Sequence, residues 1–385
     1  MELSRRTMVR VIGAGGLAAG AGALGLSQCD RMPAEAIAAW GGPGAEEKEL
    51  RRRALSYALL APNPHNLQSW IADLREPGAI TLYTDTKRLL PATDPFARQI
   101  MVGCGAFLEL LVMAIAEQGR RPVVSLFPAG EWSEGQVGQT PFARVDIAGT
   151  TNVMRDPLFA FATKRHTNRN PYDSQAMTAE EAAAIASVCE SQGLHFGWSA
   201  DDTLTTRLKD IAWRAWGVEV GKDATYYESV NVYRVTARMI AANRDGLPFH
   251  GPVMWWLNAL GLFSRERAMT GDPFLRDQAL NFSEAAIRMT PSFAWIVSAS
   301  NDRAAQIAAG RSYVRAQLKA TELGLSFGPL SQALQEFPEM APLMAEMRGA
   351  LGIPEGETLQ MFVRAGRAAA AEPSPRRALD DICRV

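Results

Sequence analysis

Four cationic side chains fall within six consecutive positions, Lys164, Arg165, His166 and Arg169, with the Thr167 hydroxyl and the Asn168 amide between them. Two guanidinium forks with hydroxyl and imidazole donors beside them suit a phosphate or the polar edge of a ring, because each fork presents parallel N–H donors and a fixed charge. A charge block is also what an exposed, solvated loop looks like. The stretch gains weight from a second one, Ala61-Pro62-Asn63-Pro64-His65-Asn66-Leu67-Gln68-Ser69-Trp70, a Pro-rich turn with two asparagines and an imidazole. His65 there has a structural reading as well as a chemical one.

The elements that must position these stretches can be read from spacing and caps. Leu50, Ala54, Tyr57, Ala58 and Ala61 recur at helical intervals behind Glu46, Glu47 and Glu49, where acidic residues favour a helix start. Pro62 and Pro64 end that helix. A strand through Trp70 to Leu74 and another over Ile80 to Tyr83 flank the turn at Glu76-Pro77-Gly78, a hairpin. Asp94-Pro95 reads as N-cap and first residue of a helix over Phe96 to Glu117, apolar nearly all round and therefore central. Strands near Val123–Phe127 and Ala143–Ile147 complete a first half over 45–150.

A second half, 151–385, repeats this grammar. Asp156-Pro157 caps a short helix that runs into the basic loop, and Thr178-Ala179-Glu180-Glu181 is a capping box for a helix to Cys189. Leu194, Phe196 and Trp198 alternate as a strand. A helical insertion over about 203–283 carries the apolar patch Pro252-Val253-Met254-Trp255-Trp256. Phe293–Val297 is strand-like, and a long helix spans Asp302–Leu323, stopping at Gly324. Strands and helices segregate rather than alternate, which predicts an α+β fold.

Composition narrows the function. With 40 basic and 41 acidic residues, net charge −1, nothing proposes nucleic acid as a partner. The 385 residues, 47% hydrophobic and 21% charged, are long enough for a large core and more than one domain. The four cysteines, Cys29, Cys104, Cys189 and Cys383, lack ligand-like spacing, so neither a disulfide framework nor a metal is expected, and Cys104 reads as core.

The first 38 residues read as a leader. Arg5-Arg6 in Ser4-Arg5-Arg6-Thr7-Met8 precedes a weakly apolar Gly/Ala run to Leu26, too short and Gly-rich for a good membrane span. This resembles a twin-arginine export signal, which implies the twin-arginine machinery as a partner and a periplasmic protein loaded with its cofactor before export. Cleavage is expected near Ala34–Ala38. A weaker alternative is a lipidated Cys29 after Leu26-Ser27-Gln28, which would leave the protein membrane-associated.

The Ala61–Trp70 stretch resembles the "APSxxNxQPW" segment of FMN-dependent nitroreductases, and Arg165-His166-Thr167-Asn168-Arg169 resembles their phosphate-binding "RxSxR/K" loop. Leu323–Gln332 is similar to their late flavin-facing loop, and Pro375-Arg376-Arg377-Ala378-Leu379 to their basic tail. Each signature occurs once and the first two are in reversed order. The chain therefore resembles the double-domain, Acg-like branch: two nitroreductase-like halves as an internal pseudo-dimer, a monomer with one composite site. Asn63 stands in place of the usual Ser, and Ser69 of the usual Pro.

The resemblance implies FMN, with its phosphate on Arg165, His166, Thr167 and Arg376 or Arg377. It places Arg169 near the flavin N1/O2 edge, where a cation favours the reduced anionic flavin. Pro62, Asn63 and Asn66 would reach across the seam, and Pro329, Leu330, Ser331 and Gln332 would line another edge. No protein acid or nucleophile is demanded, since the flavin does the redox work. The implied function is reduction of a small oxidised compound, a nitroaromatic or quinone; the alternative is a flavin-sequestering protein without turnover.

Overall fold

Two twenty-residue helices cross at the centre of the molecule, α3 (Arg98–Glu117) and α11 (Arg303–Glu322). The computed structural model describes residues 30–133, 137–150 and 153–385. A Cβ on Gly105 would lie 2.1 Å from the Ile307 carbonyl oxygen, and one on Gly310 would lie 1.9 Å from that of Val102. Only glycine permits that backbone approach. Val102 and Ile307 hold the fifth place in their helices, Gly105 and Gly310 the eighth, so the contact is reciprocal.

The remaining helices are α1 (Ala34–Ile37), α2 (Leu50–Ala58), α4 (Ala179–Glu190), α5 (Asp202–Gly221), α6 (Asp223–Asn231), α7 (Ala237–Asn243), α8 (Pro252–Ala259), α9 (Arg265–Ala268), α10 (Pro273–Arg288) and α12 (Ala341–Ala350). The strands are β1 (Trp70–Asp73), β2 (Ala79–Thr84), β3 (Arg121–Leu126), β4 (Ala143–Ala148), β5 (His195–Ser199), β6 (Tyr233–Val235), β7 (Leu247–Phe249), β8 (Ser292–Ser298), β9 (Ser326–Pro329), β10 (Thr358–Gly366) and β11 (Cys383–Arg384).

One sheet has the order β11-β1-β2-β4-β3 and the other β5-β8-β10-β9. Apart from β11, both are antiparallel. In each, a helix and two strands precede the long central helix and two strands follow it. The fold is mixed helix and sheet, with α3 and α11 buried between the sheets as their apolar faces require.

Caps explain most boundaries. Thr178 and Glu181 form the expected capping box on α4, and the Asp156 side chain accepts from Leu158 N at 3.0 Å. The start of α3 differs from expectation. Ala97 adopts a left-handed conformation (φ 56°), so the helix begins at Arg98 rather than Phe96. Asp94 still caps it from farther back, its carboxylate accepting from Gln99 N at 3.1 Å and Ile100 N at 2.9 Å. Burial outweighs those bonds and pushes its carboxyl up to about 6.

Three boundaries need correction. The insertion fills everything between β5 and β8, residues 200–291 rather than 203–283, and includes the two-stranded parallel β6–β7 sheet. Its first helix belongs to the second half's core, with Leu208, Ile211 and Ala215 packed against Phe293, Trp295 and Phe362. The C-terminal tail leaves the second half, and β11 pairs with β1, Ala72 opposite Cys383.

The last residues of the expected leader, from Asp30 on, pack against the folded body. Asp30 is 2% exposed, and its carboxylate accepts from Ala237 N at 2.5 Å and Gly251 N at 3.1 Å. Ala36 is fully buried, with its carbonyl accepting from Arg376 N at 2.7 Å. The folded body therefore includes Asp30 onward. Arg5, Arg6 and Cys29 lie outside the described residues.

Candidate functional site

Three distant segments converge on the carbonyl of Leu60, at the end of the turn after α2. Arg165 Nη2 donates to it at 2.6 Å and Arg376 Nη2 at 3.2 Å. Arg165 also donates to Gln317 Oε1 on α11 at 2.8 Å. Arg376 Nη1 donates to Asn66 Oδ1 at 2.7 Å, and Asn66 Nδ2 donates to Pro375 O at 3.0 Å. The basic loop, the Pro-rich loop and the C-terminal tail thus meet at one place, although they lie more than a hundred residues apart in sequence.

The electrostatics there are unusual. Arg165 is 1% exposed and Arg376 3%, yet neither has a carboxylate within ion-pair distance among the described residues. Among the described residues the Nε of each has no hydrogen-bond partner, and neither does His166 Nδ1. Burial holds Arg165 down to about 10; burial, then Arg165 and Arg169, hold Arg376 well below its usual value. A buried cation is normally paired because leaving water is so unfavourable. Two guanidiniums with spare donors and no carboxylate partner have the chemistry to hold an anion.

Trp40 closes the cluster from the N-terminal side. Its ring lies 4.9 Å from the Arg376 guanidinium, 5.4 Å from that of Arg165 and 4.2 Å from the His166 ring. Cation–π attraction partly compensates the two desolvated charges. Trp40 Nε1 donates to Ser374 O at 2.8 Å, which fixes the indole. Burial, then the two arginines, hold His166 down to about 4, so it is neutral at pH 7.

Arg169 extends the positive region. Its side chain is exposed to solvent yet deeply surrounded by protein, and burial lowers its pKa. Tyr313, whose buried hydroxyl has no partner among the described residues, lies in the electrostatic reach of both Arg165 and Arg169. Thr167 forms a parallel bridge with Phe327, and Asn168 N donates to Phe327 O at 3.0 Å, which pins the basic loop to β9.

The expected site residues divide by partner. Arg165, His166, Asn66 and Arg376 come together. Arg377 does not join them: Nη1 donates to Gln68 O at 3.2 Å, Nη2 to Asp381 O at 2.6 Å, and Asp85 lies 3.7 Å away. Successive side chains of an extended tail point to opposite sides, which separates two neighbouring arginines. Asn63 is engaged in its own loop, donating to Ala61 O at 3.0 Å and accepting from Gln68 N at 2.8 Å. Pro62 is buried in the same turn. Pro329 pairs with Val363 at the end of β9, and Leu330 N donates to Phe362 O at 2.9 Å. Ser331 and Gln332 follow, both half-buried.

A cleft of about 690 Å³ opens elsewhere, lined by Asp85, Arg88, Glu228, Asp245 and Arg377 among others. Its three arginines nearest the acidic groups are paired, Arg88 and Arg234 with Asp245 and Arg377 with Asp85. Volume favours that cleft, and unpaired charge favours the Arg165–Arg376 cluster. Unpaired charge is the stronger sign of an anion-binding site. Trp40, Gln317 and Tyr313 carry no motif that sequence reasoning could have caught.

No family model matches the chain. It is 25% identical over 349 residues to a Mycobacterium tuberculosis protein named "Putative NAD(P)H nitroreductase Rv3131", covering 87% of this chain and 91% of that one. A second protein of that organism, "Putative NAD(P)H nitroreductase acg", is 36% identical over 77 residues, 20% of this chain and 23% of the relative. Among solved structures, the FMN-dependent nitroreductase NfnB of Mycobacterium smegmatis in complex with NADPH is 19% identical with a TM-score of 0.36, covering 58% of this chain and 94% of that one. A nitroreductase of Bacteroides fragilis with bound FMN is 15% identical with a TM-score of 0.36, covering 58% and 94%. At these scores the superpositions do not by themselves assign the fold.

Proposed function

We propose that this chain is an FMN-dependent oxidoreductase of the nitroreductase kind, with one composite site built from both halves. The observation that carries this is the pair of buried, unpaired guanidiniums of Arg165 and Arg376 with their spare Nε donors. A flavin mononucleotide phosphate is a doubly charged acceptor of the kind such a pair takes. His166 Nδ1 supplies a further polar contact, and Arg169 a cation for the polar edge of the ring. Bound FMN supplies two-electron redox chemistry, and the chain's own groups bind it, orient it and screen it from water. The relative's name, NAD(P)H nitroreductase, supports this activity class and a nicotinamide donor.

The single site follows from an internal pseudo-two-fold. Its supports are the matching strand orders, the reciprocal Gly105 and Gly310 contact, and the occurrence of each loop once. The acceptor is a small oxidised compound, nitroaromatic or quinone. Arg5-Arg6 directs the folded, loaded protein through twin-arginine export to the periplasm.

The test is to purify the folded protein from its native compartment and record its absorbance. A flavin spectrum that a reductant bleaches and a quinone or nitroaromatic restores is expected. No flavin ends the reading, and a flavin that never reoxidises with an acceptor favours the sequestering alternative. For export, Arg5→Lys with Arg6→Lys keeps the charge but loses the paired forks, and should leave loaded protein in the cytoplasm. Normal periplasmic levels of that variant would end the export assignment.

A further inference from the structure

A buried carboxyl in the insertion stands in a chain of hydrogen-bonding groups that leads back to the Pro-rich loop. Glu219, near the end of α5, is 4% exposed. Its Oε2 accepts from Gln335 Nε2 at 2.7 Å, and Ser229 Oγ lies 3.4 Å from its Oε1. Ser229 Oγ in turn lies 3.0 Å from His65 Nε2. Gln332, at the end of the Pro329–Gln332 loop, also favours the charged form of the Glu219 carboxyl. The groups therefore join α5, α6 and two loops of the candidate site.

The surroundings suit a carboxyl that gains and loses a proton. Among the described residues no cation lies within ion-pair distance of Glu219. The charged and titratable groups facing it are Glu228 from α6, Tyr233 from β6 and His65 beyond Ser229. Lys222, three residues on, pairs instead with Glu339. Burial first, with Glu228 adding to it, pushes Glu219 up to about 7. Gln335 is itself buried, and its Oε1 has no donor. An ionised Glu219 takes the Gln335 N–H, whereas a protonated one has Ser229 Oγ or, after an amide flip, Gln335 Oε1 to donate to.

His65 sits where backbone strain collects. His65, Asn66 and Gln68 have φ of 49°, 53° and 55°, a conformation that non-glycine residues hold only when neighbours impose it. Burial, then Arg169, hold its imidazole down to about 4. At neutral pH it therefore passes a proton on more readily than it keeps one.

We propose that Glu219, Ser229 and His65 form a proton relay that serves an oxidised acceptor bound beside Arg169. This rests on the oxidoreductase reading above. Reduction of a quinone to a hydroquinone needs a hydride and a proton; bound reduced FMN would supply the hydride and be oxidised by the transfer. For the proton, the Glu219 O–H donates to Ser229 Oγ and the Ser229 O–H to His65 Nε2. The proton on His65 Nδ1 is then released to the acceptor oxygen, leaving Glu219 as a carboxylate; a solvent proton taken up at His65 Nδ1 runs the chain backward and restores both the Glu219 carboxyl and the starting tautomer.

The experiment compares wild type with Glu219→Gln and Ser229→Ala. Glu219→Gln keeps the shape but cannot ionise, while Ser229→Ala interrupts the relay and leaves the carboxyl in place. Infrared titration of the purified protein should show a protonated carboxyl band that disappears as pH rises through about 7 in wild type and is missing in Glu219→Gln. Flavin content should be unchanged in both variants. Reoxidation by a quinone should slow about 100-fold in both at pH 6, a general-acid effect, and lose its dependence on pH near 7. Flavin-loaded variants with wild-type rates and pH profiles would overturn the relay alone, as would a carboxyl band that does not titrate. A protein without flavin would overturn the oxidoreductase reading and the relay with it, while the infrared titration would still report whether Glu219 holds a proton.

Discussion

Arg165→Met separates a binding role from a structural one, because the two roles move stability in opposite directions. Methionine keeps much of the side-chain length and removes the charge. The structure gives the opposing terms for the flavin-free protein. Holding the guanidinium charged at a pKa of about 10 rather than 12.5 corresponds to about 3 kcal/mol of destabilisation that the substitution relieves. Against this, Leu60 O keeps Arg376 as a donor at 3.2 Å, so the acceptor left bare is Gln317 Oε1, which costs about 1–3 kcal/mol. The flavin-free variant should therefore be as stable as wild type or up to about 2 kcal/mol more stable. FMN binding should weaken by about 2–4 kcal/mol, roughly 30- to 1,000-fold. Urea unfolding with and without FMN, together with a flavin fluorescence titration, measures both. A flavin-free variant destabilised by several kcal/mol with unchanged FMN affinity would show that Arg165 is a structural strut and refute the anion-receptor reasoning.

Further expectations concern the packing and the charges around this site. Gly310→Ala gains about 1 kcal/mol of helix propensity but places a Cβ 1.9 Å from Val102 O; the helices must part, and urea unfolding should show a net loss of about 3 kcal/mol or more. Glu219 binds its proton more tightly folded than unfolded, with a pKa of about 7 against 4.5. Its contribution is therefore fully present below about 4.5 and lost as pH rises through 7, about 3 kcal/mol in all; stability that does not decline across this window relative to Glu219→Gln counts against it. Asn66→Ala removes the Oδ1 that holds Arg376 and should lower flavin retention on gel filtration, whereas full retention would show that Arg376 is held without it. The mature N-terminus, read by Edman or mass analysis, should fall at or before Asp30, since a cut near Ala36 would remove the carboxylate that caps Ala237 and Gly251.

Local chemistry was legible in the sequence wherever it is decided within a few residues. The Thr178 box, the Asp156 cap and the Gly324 stop each depend on near neighbours. The α3 start was misplaced because Asp94 caps across a turn whose left-handed Ala97 carries no composition signal. Arg376 and Arg377 are the same residue type side by side, and only the direction of the tail tells which faces Leu60 O and which faces Gln68 O. Trp40 was hidden by an Ala-rich setting that reads as a processing site, although it covers both arginines. Glu219 sits among apolar neighbours on a helix, and its partners Ser229 and Gln335 are reached only through the fold.

The two groups of buried charge do not cancel one another. Among the described residues Arg165 and Arg376 have no anion within ion-pair distance, and Glu219 has no cation. Both groups are nevertheless tied to the Pro-rich loop, Arg376 through Asn66 Oδ1 and Glu219 through Ser229 and His65 Nε2. His65 and Asn66 are neighbours, and both adopt positive φ. The strained pair thus makes one of these contacts from each residue, its backbone held from both sides at once. Strain of this kind persists only where surrounding contacts over-determine it, and here those contacts come from the C-terminal tail on one side and the insertion on the other. A loop fixed in this way holds the Arg376 and Glu219 groups in a constant relation, and neither half of the molecule could hold it alone.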